Sequence, residues 1–101
     1  MKFPKIEIED NIIISLAKKY DVQELALFGS VLRNDFNDSS DIDILIKFRD
    51  NREYSLFDLF IMKEDFKNAL GKDVDLIEKD SLRNPYRRKN ILDNAKVIYA
   101  A

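Results

Sequence analysis

Two apolar runs joined by a polar segment constrain the fold of this chain more than any other feature. The first run, residues 25–28 (Leu-Ala-Leu-Phe), ends at Gly29-Ser30, and the second, residues 44–46 (Ile-Leu-Ile), directly follows Asp41-Ile42-Asp43. A glycine at the end of a strand lets the backbone approach a phosphate group closely. Aspartates at positions i and i+2 of a strand point to the same face. A phosphate-binding turn and an acidic pair so near each other indicate nucleotide chemistry.

Alternation of apolar and polar residues predicts that residues 41–48 form a strand with one buried face. The apolar face carries Ile42, Ile44, Ile46 and Phe48, and the opposite face carries Asp41, Asp43, Leu45 and Lys47. Residues 24–28 are apolar on both faces, which predicts a central strand.

Capping and turn residues predict the remaining elements. In the first half of the chain we expect a helix from Asp10-Asn11 to about Tyr20, a short helix over residues 30–34 and a charged loop over residues 49–54. A helix capped by Ser55 and ended by Gly71 should follow, and then a strand over residues 73–77. The last elements are a helix from Asn84-Pro85 to about Asn94 and a short strand over residues 97–99. The fold class is therefore α+β, with a small mixed sheet of three or four strands and helices packed mainly on one side.

Composition excludes several kinds of active site. The chain has 101 residues, no cysteine and no histidine. It therefore lacks disulfides, thiolate metal sites and a Ser-His-Asp triad, and any metal must be held by oxygen ligands. A chain of this length predicts one domain spanning residues 1–101.

Net charge and hydropathy limit the ligands and the cellular location that are expected for this chain. The net charge of −2 and the pI near 5.1 argue against direct DNA binding, which normally requires a basic surface. The N-terminal sequence resembles no signal peptide, and no run is long enough to span a membrane. We expect a cytoplasmic protein with no membrane association.

The Gly29-Ser30 pair has two interpretations. The serine hydroxyl and the free N–H groups of the next turn are suited to donate hydrogen bonds to phosphate oxygens. Alternatively, the pair is a helix cap after a tight turn, and taken alone Gly-Ser favours that structural role.

A cluster of acids predicts a metal site. Asp41 and Asp43 would repel each other on one strand face without a cation, although a solvated strand edge is an equal alternative. The segment Asp73-Val74-Asp75 can pair beside them, and Asp75 is preferred over Asp73 because it lies deeper in the apolar run. Three carboxylates on adjacent strands can hold two metals for phosphoryl transfer.

The spacing of these residues resembles the active-site pattern of the minimal nucleotidyltransferases, members of the DNA polymerase beta-like nucleotidyltransferase superfamily. The resemblance covers nearly the whole chain and rests on the pattern Gly29-Ser30-x-x-Arg33-x-Asp35-x₄-Ser40-Asp41-x-Asp43, followed by an apolar-Asp-apolar strand. One departure is Asn34-Asp35, where the family usually has a small or basic residue and then Gly-Asp.

The resemblance implies a role for each matching residue and a nucleotidyltransferase fold like the polymerase beta palm. Gly29, Ser30 and Arg33 would bind the nucleotide phosphates. Asp41 and Asp43 would ligate both of two Mg²⁺ ions, with Mn²⁺ as an alternative. Asp75 would complete the second metal site and help to deprotonate the attacking hydroxyl.

The resemblance also implies an activity and a partner. The chain would transfer AMP from ATP to a tyrosine of a small helical HEPN toxin and act as the antitoxin of a toxin–antitoxin module. The alternative is a nucleotide- and metal-binding subunit that neutralises its partner by contact alone.

Two further features of the sequence each have two interpretations. The basic cluster Arg83, Arg87, Arg88 and Lys89 is interpreted first as a solvated helix face, with a triphosphate or partner contact as the alternative. Phe57, Phe60 and Phe66 are helix core or interface. Because eleven Phe and Tyr residues exceed what one small core hides, we expect a hetero-complex or homo-oligomer through the helix at 56–70 or the C-terminal segment.

Overall fold

A four-stranded mixed sheet forms the centre of the structure, a computed structural model that describes residues 1–49 and 54–101. Along the chain the elements are α1 (Asp10–Lys19), β1 (Val22–Phe28), a 3₁₀ turn (Gly29–Leu32), β2 (Ile42–Phe48), α2 (Leu56–Leu70), β3 (Val74–Glu78), a second 3₁₀ turn (Lys79–Ser81), α3 (Pro85–Asn94) and β4 (Lys96–Ala100). The predicted α+β class and the element order are confirmed. Residues 50–53 of the predicted charged loop lie outside the described residues.

The strands follow the order β3-β2-β1-β4. β1 pairs antiparallel with β2 and β4, and β3 pairs parallel with β2. β1 is therefore an inner strand, as its apolar character predicted. The end of β1 and the starts of β2 and β3 meet at one end of the sheet, where the predicted site residues lie.

One face of the sheet carries the main core. It packs against α1 and α2, which confirms that helices lie mainly on one side, and its buried side chains include Ile13, Leu16, Leu25, Leu27, Ile42, Ile44, Ile46, Met62 and Phe66. A smaller cluster on the opposite face joins Ala26 and Leu45 to Leu82 and Ile91. Through this cluster α3 covers part of the second face and leaves the rest open.

Local signals explain the ends of α2. The Ser55 hydroxyl accepts a hydrogen bond from the Asp58 N–H, and the Asp58 carboxylate accepts one from the Ser55 N–H. Gly71 ends the helix in the left-handed conformation at φ +72°. Both features were predicted, and this reciprocal capping is typical of a well-defined helix start.

Two predicted starts differ from the structure. The N-cap of α1 is Glu9, without a side-chain cap, and Asp10 lies inside the helix with its carboxylate 3.0 Å from the N-terminal ammonium group. The predicted short helix over residues 30–34 is the 3₁₀ turn Gly29–Leu32. It begins at Gly29, whose φ is positive, and ends two residues earlier than predicted because Arg33 is already extended.

Candidate active site

Gly29 sits against the carboxylate of Asp43. Its φ is +76°, and a Cβ atom at this position would lie 2.2 Å from Oδ2 of Asp43. The register that places Phe28 opposite Asp43 brings the turn over that side chain. Glycine is therefore required here for two independent reasons, the left-handed backbone and the space taken by Asp43.

The parallel register of β2 and β3 places Asp43 directly beside Asp75. Neighbouring strands lie about 4.8 Å apart, so two side chains on the same face of adjacent strands are close neighbours. Asp43 is half-buried, whereas Asp41 and Asp75 are exposed. The sheet thus brings together two of the three predicted acids in register, with Asp41 at the position just before β2.

Asp73 has a different role. Its backbone oxygen accepts a hydrogen bond from the Ile42 N–H at 2.9 Å, and its carboxylate lies 3.1 Å from Nζ of Lys67. Asp73 therefore anchors the start of the β2–β3 pair and is already paired, which supports the choice of Asp75 as the site acid.

Burial raises the pKa of the Asp43 carboxyl above its ordinary value, and the negative charges of Asp75 and Asp41 raise it further. The guanidinium of Arg33 acts in the opposite direction. The ionised form of Asp43 is therefore less favourable than that of an isolated aspartate, as expected for clustered carboxylates without a cation.

We expect Asp43→Asn to raise the melting temperature at pH 7. Because the folded-state pKa is raised, ionisation of Asp43 costs folding free energy at any pH above that pKa, and asparagine removes this cost. As the pH falls through the folded-state pKa towards the ordinary value of 3.8, wild type becomes protonated and the advantage disappears. Thermal melts from pH 8 to pH 3.5 test this, with the exposed loop variant Asp38→Asn as control. A variant less stable than wild type at pH 7 would give Asp43 a structural role.

Ser30 and Arg33 lie in the turn that follows β1. The Arg33 N–H donates to the Ser30 carbonyl at 2.9 Å and closes the turn. The turn has no side-chain cap, and the Ser30 hydroxyl has no hydrogen bond within residues 1–49 and 54–101. The helix-cap interpretation of Ser30 is therefore wrong, and its hydroxyl is available for a ligand.

The Arg33 side chain is exposed and forms an ion pair with Asp35 at 3.1 Å. Asp35 is part of the family pattern, so the Asn34-Asp35 departure leaves this partner of the arginine in place. Arg33 nevertheless remains near enough to Asp43 to lower its pKa.

The loop before β2 is held by its own side chains and by Lys72. The Ser40 hydroxyl accepts a hydrogen bond from the Asn37 N–H at 3.1 Å, and Lys72 Nζ donates to the backbone oxygens of Asn37 and Asp38. A cleft of about 670 Å³ beside this loop includes Asp41, Lys67 and Lys72 but neither Asp43 nor Asp75. Because both lysines are already paired, the cleft is a less suitable phosphate site than the turn at Gly29.

α3 crosses the open face, and together with the residues just before it contributes side chains to the site that the family pattern does not include. Asn90 and Asn94 line a cavity of about 440 Å³ with Gly29 and Arg33. Arg83 and Arg87 line another, of about 490 Å³, with Asp75. The signal in the sequence is the spacing of residues 87, 90 and 94, which places polar side chains along one stripe of α3, while Arg83 lies just before the helix.

The rest of the basic cluster has structural partners. Arg88 donates to the Lys79 carbonyl at 3.0 Å, and Lys89 lies 2.7 Å from Asp93 one turn later. Lys89 therefore agrees with the predicted solvated helix face, whereas the hydrogen bond of Arg88 connects α3 to the 3₁₀ turn after β3.

The acids suit a hard divalent cation in chemistry, since all available donors are oxygens. Within the described ranges 1–49 and 54–101, however, no three acidic side chains converge closely enough to hold a metal ion by themselves. Mg²⁺ commonly takes only one or two carboxylates and completes its shell with phosphate oxygens and water. The residues therefore suit a metal ion that binds together with a nucleotide, whose phosphates supply the remaining ligands. Ligation by Asp41, Asp43 and Asp75 stays a prediction.

No helix within the described residues has both the length and the apolar character needed to cross a bilayer.

Comparison with known proteins agrees with this geometry. The family model for the nucleotidyltransferase domain matches residues 9–98. A candidate protein adenylyltransferase of Methanocaldococcus jannaschii is 41% identical over 76 residues, which are 75% of this chain and 76% of that protein.

Solved structures give the same result. The structure of a candidate minimal nucleotidyltransferase is 29% identical, with a TM-score of 0.70 and 86% of each chain covered. The MNT antitoxin complex with the tri-AMPylated HEPN toxin of Shewanella oneidensis contains a chain with the same fold, at 23% identity, a TM-score of 0.66, and coverage of 91% of this chain and 70% of that one. The resemblance inferred from the sequence is thus confirmed, and the chain belongs to the nucleotidyltransferase domain family as a minimal nucleotidyltransferase.

Proposed function

We propose that this nucleotidyltransferase transfers AMP from ATP to a tyrosine of a small helical HEPN partner, and that it acts as the antitoxin of a toxin–antitoxin module. The observation that carries the proposal is the pairing of Asp43 with Asp75 beside the Gly29 turn. Two similar proteins support a protein acceptor and a HEPN partner: the M. jannaschii relative is named for protein adenylylation, and the Shewanella complex pairs its antitoxin with an AMPylated HEPN toxin.

The proposed reaction requires a divalent metal, Mg²⁺ or Mn²⁺. Asp41, Asp43 and Asp75 would hold it, and when bound it would neutralise charge on the triphosphate and on the leaving pyrophosphate. We also propose that the chain functions as a single catalytic domain over residues 1–101.

The side chains of this chain would bind, orient and accept a proton. The Ser30 hydroxyl and the N–H groups of the 3₁₀ turn would donate to the β- and γ-phosphates, with Arg33 beside them. Asp75 would accept the proton of the tyrosine hydroxyl. The tyrosine oxygen would then form its bond to the α-phosphorus as the bond to the bridging oxygen of pyrophosphate breaks, in line with the attack.

The exposed start of α2 supports the proposed partner. Four large apolar side chains in its first two turns are exposed: Leu56, Phe57, Phe60 and Ile61. Of the three phenylalanines considered as core or interface, only Phe66 is buried. The exposed four lie six to eleven residues before Lys67, in the first half of a helix about 22 Å long, so they suit assembly with a helical partner and not the chemistry itself.

The direct test combines two measurements. Calorimetry of ATP binding with Mg²⁺ and with EDTA should give binding only with the metal. The protein, ATP, Mg²⁺ and the product of the adjacent gene are then mixed, and mass spectrometry should find AMP on a partner tyrosine. Equal ATP affinity under both conditions would contradict metal dependence, and AMP on a different residue would contradict the tyrosine acceptor.

One observation favours a second candidate, a non-catalytic subunit that neutralises its partner by contact. In the described part of the chain the acids do not converge into a three-ligand metal site. Formation of a tight complex with toxin neutralisation, but with no AMP adduct under any metal condition, would establish this alternative.

We expect Ser30→Ala to reduce transfer strongly and to leave stability nearly unchanged. The hydroxyl caps no helix, whereas loss of a hydrogen bond to developing phosphate charge costs roughly 2.7–4 kcal/mol by analogy with oxyanion donors, about 10²–10³ in rate. Turnover and thermal melting separate the two effects. Ser39→Ala, in the neighbouring loop, is the matched control. A loss of stability of about 1 kcal/mol with normal turnover of the folded fraction would restore the capping role.

A further inference from the structure

We propose that Arg83 and Arg87 form an anion-binding subsite on the acceptor side of Asp75, and that it binds a carboxylate of the partner protein next to the acceptor hydroxyl. The identity of the acceptor rests on the proposed function. The subsite itself rests on three observations about these arginines.

The first observation is the cavity that they share with Asp75. It has a volume of about 490 Å³, and its other lining residues include Leu82 and Asn84. Arg83, Arg87 and Asp75 are all exposed. A ligand that reaches Asp75 through this cavity therefore meets two guanidinium groups.

The second observation is that these two arginines have no partner for their guanidinium groups among the described residues. Arg33 pairs with Asp35, Arg49 pairs with Asp21 at 2.6 Å, and Arg88 donates to the Lys79 carbonyl. Only the two that face Asp75 are left free within residues 1–49 and 54–101. The planar guanidinium group is well matched to a carboxylate, which it can bind through two parallel hydrogen bonds.

The third observation is the distance from the phosphate-binding turn. Seven residues of α3 separate Arg87 from Asn94, which lines the cavity at Gly29, and seven residues of helix span about 10 Å. Two strand spacings, also about 10 Å, separate β3 from β1. A triphosphate held at Gly29 therefore occupies the Asn90–Asn94 end of α3, and the arginine end faces the acceptor.

The neighbouring surface favours a protein as the source of the carboxylate. Tyr86, between the two arginines in the chain, is 85% exposed. Tyrosine and arginine are among the residue types enriched at the energetic centres of protein interfaces. The arginines would also offset the repulsion between an acidic acceptor segment and the carboxylates of the site.

The test is a double variant, Arg83→Ala/Arg87→Ala, with Lys89→Ala as the matched control on the same helix. We expect KM for the partner to rise roughly tenfold or more, as for loss of hydrogen bonds to a charged group, with kcat at saturating partner and the ATP dissociation constant unchanged. The arginine-to-lysine double variant should recover part of the loss. Melting should match wild type because both side chains are exposed.

Partner affinity in the absence of ATP provides a readout independent of catalysis. Calorimetry should show weaker binding for the double variant at low salt and a smaller difference at high salt. On the partner, replacement of carboxylates near the acceptor tyrosine by amides should weaken binding to wild type but cause no additional loss with the double variant.

Three results would overturn the subsite. Weaker ATP binding with unchanged partner KM would assign the arginines to the triphosphate. Unchanged values throughout would make them a solvated helix face, and additive losses with the partner amides would exclude a direct contact. If wild type transfers no AMP, the proposed function fails, yet the affinity measurements still decide whether the subsite exists.

Discussion

Alanine at Gly29 is expected to abolish nucleotide transfer, whereas alanine at Gly71 leaves it intact, even though both changes destabilise the fold to a similar degree. The two glycines share a left-handed backbone, with φ of +76° and +72°. Alanine in that conformation costs about 1–2 kcal/mol at either position. The difference lies in what the new methyl group meets.

At Gly71 nothing lies within 4 Å of an added Cβ, whereas at Gly29 the Cβ would lie 2.2 Å from Oδ2 of Asp43. Because the obstructing atom is the end of a side chain, the carboxylate can rotate away without unfolding the sheet. It then leaves the position beside Asp75. A displacement of about 1 Å in a catalytic group can cost about 10²-fold in rate, and we expect at least that loss.

Thermal unfolding and AMP transfer, measured on both variants, check this expectation. Comparable melting temperatures with transfer lost only in Gly29→Ala would support a catalytic position for the Asp43 carboxylate. If Gly29→Ala retains normal turnover, the orientation of that carboxylate against the turn has no part in the reaction.

Features encoded by neighbouring residues could be predicted from the sequence. Ser55, Asp58 and Gly71 define both ends of α2 through contacts within a few residues. The alternation in residues 42–48 specifies which face of β2 is buried, because a strand's side chains alternate strictly. The residue spacing shared with the nucleotidyltransferase family identified the three aspartates of the site, although their catalytic and metal-binding roles remain a prediction.

Features that depend on tertiary geometry could not be predicted in the same way. The polar stripe of α3 is visible in the sequence, but its proximity to Asp75 and Gly29 depends on where the helix crosses the sheet. Phe57, Phe60 and Phe66 are chemically identical, and only the position of α2 on the sheet buries Phe66 and exposes the other two. Likewise, the contact between Gly29 and Asp43 follows from the β1–β2 register.

The Asp41→Asn/Asp43→Asn double variant is expected to lose AMP transfer while it retains the partner complex. Removal of both charges deprives a divalent metal of ligands, and metal stabilisation of transition-state charge is worth several kcal/mol, roughly 10³-fold or more in rate. The fold should persist, because asparagine keeps the shape of each side chain and removes the cost of a buried charge and of repulsion between carboxylates, which together raise the pKa of Asp43.

Asp73→Asn is the matched control, since its carboxylate is exposed and paired with Lys67 outside the proposed metal site. Mass spectrometry of the partner and calorimetry of the complex are measured on all three proteins. Loss of adduct in the double variant alone, with partner affinity unchanged, would separate catalysis from contact. An undiminished adduct would remove Asp41 and Asp43 from the reaction. Equal toxin neutralisation by wild type and the double variant would mean that contact is sufficient, because the physiological effect would then not depend on the two carboxylates that the chemistry requires.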